Sequence, residues 1–158
     1  MKLLLVRHAE AVDIGGAIRS DADRHLTARG LATAKKLAQA LQNRVHLDAV
    51  VTSPFARARQ TAEPLLALAP AGTELVFCPD LVPMCQDPDA VAEKLVELGA
   101  RHVAVVGHLP DLGVLAGWLV GGGAVDFDRG SAALIHVDGR VSQGSGSLRW
   151  LVNPDWYE

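Results

Sequence analysis

The sequence predicts an α/β chain, a three-layer α/β/α arrangement around a mostly parallel open sheet with an antiparallel C-terminal edge. Three observations predict it. Short leucine or β-branched runs alternate with alanine-rich stretches of helical length, the pattern of successive βα units. The 158 residues are 49% hydrophobic and 21% charged, the make-up of one soluble globular domain (residues 1–158) able to bury a real core. The last two strand-like runs are separated only by turn-forming residues, as in a hairpin at a sheet edge.

The elements follow in order. A strand is expected over Lys2–Arg7. Thr27 then caps a helix from Ala28 to about Gln42, in which ARGLATAKKLAQALQ is rich in helix formers. A second strand, Ala49–Thr52, leads to Ser53-Pro54, an N-cap followed by proline at the first helical position. Glu74–Cys78 reads as a third strand, and Asp87-Pro88 opens a helix ending near Gly99. His102–Val106 is the fourth strand. The helix that begins at Leu109-Pro110 runs over Asp111–Val120 until Gly121-Gly122-Gly123 stops it. Ala132–Val137 and Ser147–Val152 form the expected hairpin across Asp138-Gly139 and QGSGS.

Composition also excludes function classes. A net charge of −3 argues against broad electrostatic adhesion to nucleic acid or to an anionic membrane, so any basic site must be local. The N-terminus imitates a signal peptide. Its apolar run is four residues, Leu3 to Val6, whereas such a signal needs roughly 7–15. No stretch approaches the roughly 18 apolar residues of a membrane span. Cys78 and Cys85 match no zinc or redox spacing and read as reduced thiols of a cytoplasmic protein. Trp118, Trp150 and Trp156 are too scattered for a base-stacking platform.

The informative chemistry stands at strand ends. Arg7 and His8 follow the first strand, Ser53 to Arg57 the second, and His108 the fourth. In an open α/β sheet the carboxyl ends of the strands form the ligand crevice. Arg57 lies one turn into its helix, and long helical side chains lean back toward the N-terminus, which returns it to the strand end. The first-turn N–H groups favour an anion at the same place. Arg59 is turned about 200° away and should face elsewhere. Any one of these residues alone would pass for a surface arginine or a hydrogen-bonded histidine. Their conjunction suits phosphoryl transfer through a covalent histidine. A neutral imidazole is a good nucleophile near neutral pH. Arg7, Arg57 and a protonated His108 would hold the phosphoryl oxygens, with bidentate contacts that lysine cannot copy. No cluster of acidic, His or Cys ligands is evident, so neither a metal nor any other cofactor is expected.

LLLVRHAEA, RHLTARG, VTSPFARARQTA and VVGHLPDL together resemble the histidine phosphatase superfamily, with its phosphoglycerate mutase-like fold, in order from Met1 to about Val120. Short length and the SPFARARQT block are most similar to the SixA-type phosphohistidine phosphatases, as are PDLVPMCQDP and RGSAALIHV. The resemblance implies that His8 is the phosphorylated nucleophile and that Arg7, Arg57 and His108 complete the phosphate pocket. It also makes Ser131 a lining residue. Arg24 either leans over the pocket or pairs with Asp21 or Asp23. His25, His46, His102 and His136 read as structural or surface residues.

Departures from the family pattern bear on substrate. Ala9 stands at the usual glycine, Ile14 replaces the asparagine of mutase-like members, and Pro83 stands where they carry a carboxylate proton donor. Alkoxide leaving groups need a proton, and a positioned acid contributes roughly 10²–10⁴-fold. An imidazole leaves phosphohistidine readily once its other nitrogen is protonated. The expected activity is therefore a metal-independent phosphohistidine phosphatase acting on a protein histidine, with a histidine phosphotransfer domain suggested by resemblance alone. Two alternatives stand beside it. One is a phosphomonoesterase for a small phosphorylated substrate, with Glu10 or Asp111 as proton donor. The other is a phosphate- or phosphoprotein-binding module that has lost turnover.

Overall fold

The computed structural model describes residues 1–158. Its principal elements are β1 (Lys2–Arg7), α1 (Ala28–Leu41), β2 (Ala49–Thr52), α2 (Ala56–Ala62), β3 (Leu75–Phe77), α3 (Pro88–Glu97), β4 (His102–Gly107), α4 (Asp111–Val120), β5 (Ala132–Val137) and β6 (Gly146–Val152). They build a six-stranded sheet in the order β3-β2-β4-β1-β5-β6. The pairs from β3 through β1 are parallel, and the β1–β5 and β5–β6 pairs are antiparallel. The C-terminal hairpin thus forms the antiparallel edge that its turn residues imply.

The buried strands separate two cores by simple alternation, because successive side chains point to opposite faces. Leu3, Leu5, Val51, Val103 and Val105 face α3 and α4, where they meet Val91, Leu95, Leu112, Leu115 and Leu119. Leu4, Val6, Val50, Ala104 and Val106 face α1 and α2, where they meet Leu37, Leu41, Ala58 and Ala62. Helices cover both faces, which is why these strands read as continuous apolar runs. No helix is long and apolar enough to cross a membrane.

Capping follows the sequence at two of the helices. Thr27 accepts from the Gly30 N–H, and Asp87 accepts from the Ala90 N–H. The expectation at α2 needs correction. The helix begins at Ala56, with extended Phe55 as its cap residue and no side-chain capping bond. Ser53 and Pro54 belong to the connecting turn instead, and the Ser53 hydroxyl lies 2.9 Å from His108 Nε2. A tertiary partner has taken the group that local propensity assigned to the helix.

Three adjacent central strands, β2, β4 and β1, end together. The His8 N–H donates to Gly107 O at 3.0 Å, and the Ser53 N–H donates to Val106 O at 3.0 Å. The strand ends that carry Arg7-His8, Ser53 and Gly107-His108 are therefore side by side.

Candidate active site

His8 is the centre of the cluster. It is 8% exposed, and its Nδ1 lies 2.7 Å from Ala9 O. A carbonyl only accepts, so Nδ1 carries the proton and Nε2 keeps a lone pair. Arg57 Nε donates to that nitrogen at 3.2 Å. Burial, together with the charges of Arg57, Arg7 and Arg129, pushes the His8 pKa down to about 4, against the favourable bond to Ala9. The imidazole is thus neutral at physiological pH, in the protonation state a nucleophile requires.

His108 faces it, with ring centroids 5.0 Å apart. Burial comes first among the causes that push its pKa to about 3, followed by His8 and Arg57. The protonated His108 expected from the sequence is therefore not the state of the unliganded site: both rings are neutral until an anion arrives. His108 Nε2 is engaged with Ser53, and its buried Nδ1 has no hydrogen-bond partner. The Ser53 hydroxyl oxygen accepts from the Phe55 N–H at 3.3 Å. With that hydroxyl donating to His108 Nε2, Nδ1–H is left as a free donor.

Arg7 closes another side. Its Nη1 donates to Phe127 O at 2.5 Å, and its buried Nε has no partner. Buried polar atoms are nearly always satisfied, so two orphans beside one histidine mark a place built for something else to occupy. The segment before β5 supports this corner. The Gly130 N–H donates to both Arg7 O and His8 O at 3.2 Å. Gly130 has φ +87°, and a Cβ there would stand 2.7 Å from Thr33 Cγ2, so only glycine fits. Neighbouring Arg129 is exposed and lowers the pKa of both Arg7 and His8.

Arg57 is 4% exposed, and three of its five N–H donors are engaged. Besides its bond to His8, Nη1 donates to Asp21 O at 2.6 Å and Nη2 to Asp21 Oδ2 at 2.9 Å. Its guanidinium carbon lies 5.2 Å over the Phe55 ring, which in turn meets His108 edge-on at 5.4 Å. Thr61, one turn along α2, accepts from the Ala9 N–H at 3.1 Å and donates to Arg57 O at 2.7 Å. It ties the turn after β1 to the helix that carries Arg57.

The remaining candidates are engaged elsewhere. Arg24 donates through Nε to Val12 O at 2.7 Å and through Nη1 to Asp21 Oδ1 at 3.0 Å. Ser131 is fully buried, and its hydroxyl donates to Asn153 Oδ1 at 2.7 Å. The Glu10 carboxylate accepts from the Thr27 hydroxyl at 2.7 Å. Asp111 accepts from the Met84 N–H at 2.9 Å and the Gln86 N–H at 2.7 Å, which holds a loop where Met84 and Gln86 both adopt positive φ. No group of three or more His, Cys, Asp or Glu side chains stands where it could hold a metal ion. Sequence reasoning missed Asp21, Ser53, Phe55, Thr61 and Arg129 as members of the site. Asp21 was visible only as a surface partner of Arg24, because its bond to Arg57 spans 36 residues of chain.

Size alone does not mark this cluster. Cavities of about 550 and 460 Å³ lie elsewhere, one beside Glu93, Trp118 and Arg140, the other beside Leu37, Trp150 and Trp156. Burial, neutral imidazoles and unsatisfied donors mark it instead.

The family model described as histidine phosphatase superfamily (branch 1) matches residues 3–85, more than half of the chain. The chain belongs to the histidine phosphatase superfamily. It is 31% identical over 159 aligned positions to the phosphohistidine phosphatase SixA of Escherichia coli, covering 98% of this chain and 94% of that one. The solved structure of the protein histidine phosphatase SixA complexed with tungstate superposes with a TM-score of 0.86 at 29% identity, over the whole of both chains. An alpha-ribazole phosphatase from Shigella flexneri shares the fold at a TM-score of 0.73 and 22% identity, with 98% and 97% covered.

Proposed function

We propose that this superfamily member is a phosphohistidine phosphatase that removes phosphate from a protein-borne histidine by way of phospho-His8, without a metal. The observation that carries the reading is the state of His8: neutral, with its proton fixed on Nδ1 by Ala9 O and its Nε2 lone pair among the basic side chains. The likeness to SixA supports the substrate class.

The chemistry balances as two displacements at phosphorus. In the first, the His8 Nε2 lone pair forms the P–N bond while the bond to the substrate imidazole breaks. With the far nitrogen of that imidazole protonated, the departing electron pair yields a neutral ring and no further proton is needed. His8 keeps its Nδ1 proton, so phospho-His8 is an imidazolium whose charge is stabilised by Ala9 O. In the second, water attacks phosphorus, its proton passes to solvent or phosphate, and the P–N electrons return to His8 Nε2. Arg7, Arg57 and His108 donate to the phosphoryl oxygens, which carry spread negative charge in the transition state. A phosphate dianion between these groups favours protonation of His108, whose unliganded pKa is about 3.

The monoesterase alternative requires a proton donor. Asp111 is occupied by two loop amides and Glu10 by the Thr27 hydroxyl, which gives that reading no support. We also propose a cytoplasmic setting, in keeping with the two free thiols Cys78 and Cys85. The test is phosphate release from a phosphohistidine protein and from a simple monoester in EDTA, beside His8→Ala. Rapid release from phosphohistidine alone, lost in the variant, is expected. Comparable monoester turnover favours the alternative enzyme, and binding without release favours a non-catalytic module.

A further inference from the structure

Arg57 presents two edges, and Asp21 takes one of them. A guanidinium offers an end-on edge formed by Nη1 and Nη2, and a side-on edge formed by Nε and the second proton of Nη2. The end-on edge is closed by a single residue acting twice, through the Asp21 carbonyl at 2.6 Å and the Asp21 carboxylate at 2.9 Å. The side-on edge is turned to the nucleophile, with Nε 3.2 Å from His8 Nε2. A phosphoryl group bonded to that nitrogen would bring its oxygens to this edge.

The grip is itself braced. Asp21 begins a 3₁₀ turn, Asp21–Asp23, which Ser20 caps by accepting from the Asp23 N–H. Arg24 donates to the other carboxylate oxygen at 3.0 Å and is tethered to Val12 O at 2.7 Å. Arg57 itself is 4% exposed, whereas the Asp21 side chain is 42% exposed. The buried member of the pair is the one beside His8, and the exposed member has no other buried group to serve.

We propose that Asp21 is a positioning residue for the reaction assigned above: it holds the end-on edge of Arg57 so that the side-on edge receives the phosphoryl oxygens at His8, with Arg24 as brace rather than as phosphate ligand. The proposal rests on the phosphatase reading. The carboxylate does a second thing in the same place, offsetting the desolvation that pulls the Arg57 pKa down.

The test is a double-mutant cycle of Asp21→Ala and Arg57→Ala, read by phosphohistidine turnover and, separately, by calorimetric titration with tungstate. A displacement of order 1 Å in a positioned group costs about 100-fold, so Asp21→Ala should lower kcat about 10- to 100-fold with a much smaller change in KM. It should also weaken tungstate binding, and both effects should vanish when Arg57 is already alanine. Asp21→Asn, which keeps an acceptor oxygen, should recover most of the loss. A general structural role would instead cost the same factor with or without Arg57, and that result overturns the proposal. So does an unchanged kcat and tungstate affinity in Asp21→Ala. If the wild-type protein releases no phosphate from phosphohistidine, the phosphatase reading fails, and tungstate affinity alone still decides whether Asp21 sets Arg57 as an anion ligand. Failure of the wild-type protein to bind tungstate overturns both.

Discussion

Acidification should destabilise this protein well before its carboxylates titrate, because two histidines are buried neutral. His8 and His108 have native pKa values pushed down to about 4 and about 3, from an ordinary 6.5. In the unfolded chain both take up protons near 6.5. Between that value and the native ones the unfolded state therefore binds more protons, and stability falls as pH falls. From pH 7 to pH 5 each histidine loses roughly 1.4 pH units of linkage at 1.36 kcal/mol per unit, or about 2 kcal/mol. The pair contributes about 4 kcal/mol, titrating as one coupled unit. The assay is urea denaturation at pH 7 and pH 5 for the wild-type protein and for His8→Asn/His108→Asn. Every other titrating group is common to both proteins and cancels in the comparison. The double variant should lose most of the pH dependence and be the more stable of the two at pH 5 relative to pH 7. Equal slopes in the two proteins would refute the claim that these imidazoles are buried neutral.

Other perturbations have distinct signatures. Asp111→Ala strands the Met84 and Gln86 amides, and at about 1.5–3 kcal/mol for each bond to a charged acceptor it should cost about 3–6 kcal/mol in urea denaturation. Were Asp111 a proton donor instead, stability would barely move while monoester turnover disappeared. Ser53→Ala removes the partner that fixes the His108 ring and should lower kcat/KM about 10-fold, the equivalent of one neutral hydrogen bond, while the stranded His108 nitrogen costs about 1–3 kcal/mol in urea denaturation. Gly117→Ala places a Cβ 2.0 Å from Gly123 O, a backbone atom that cannot swing aside, and should destabilise by about 3 kcal/mol or more in the same denaturation assay.

What was legible in the sequence was whatever depends on local pattern. The runs KLLLVR, AVVT and HVAVVG became parallel strands because both of their faces are buried, and Thr27 and Asp87 cap the helices they precede. Arg7, His8, Arg57 and His108 were legible because strand ends of a parallel sheet converge, whatever the connecting chain does. Ser53 was misread, since its capping propensity competes with a histidine 55 residues away that no local window contains. The neutral resting state of His108 was not legible either, since burial and neighbouring positive charge favour the neutral ring until a phosphoryl group arrives. Asp21 escaped notice because its role is set by how the segment after β1 folds back over α2, which depends on contacts such as Leu26 N–H to Gln60 and Arg24 to Val12.

Phosphate on His8 during turnover is the observation on which the covalent route through this residue stands or falls. A phosphohistidine protein labelled with ³²P is mixed with the enzyme, quenched at alkaline pH where phosphohistidine survives, and the enzyme is mapped by peptide. Transient label on the peptide carrying His8, absent from His8→Ala and decaying as phosphate is released, is the predicted result. Steady phosphate release with no label on His8, or label on another residue, would rule out phospho-His8 as the intermediate.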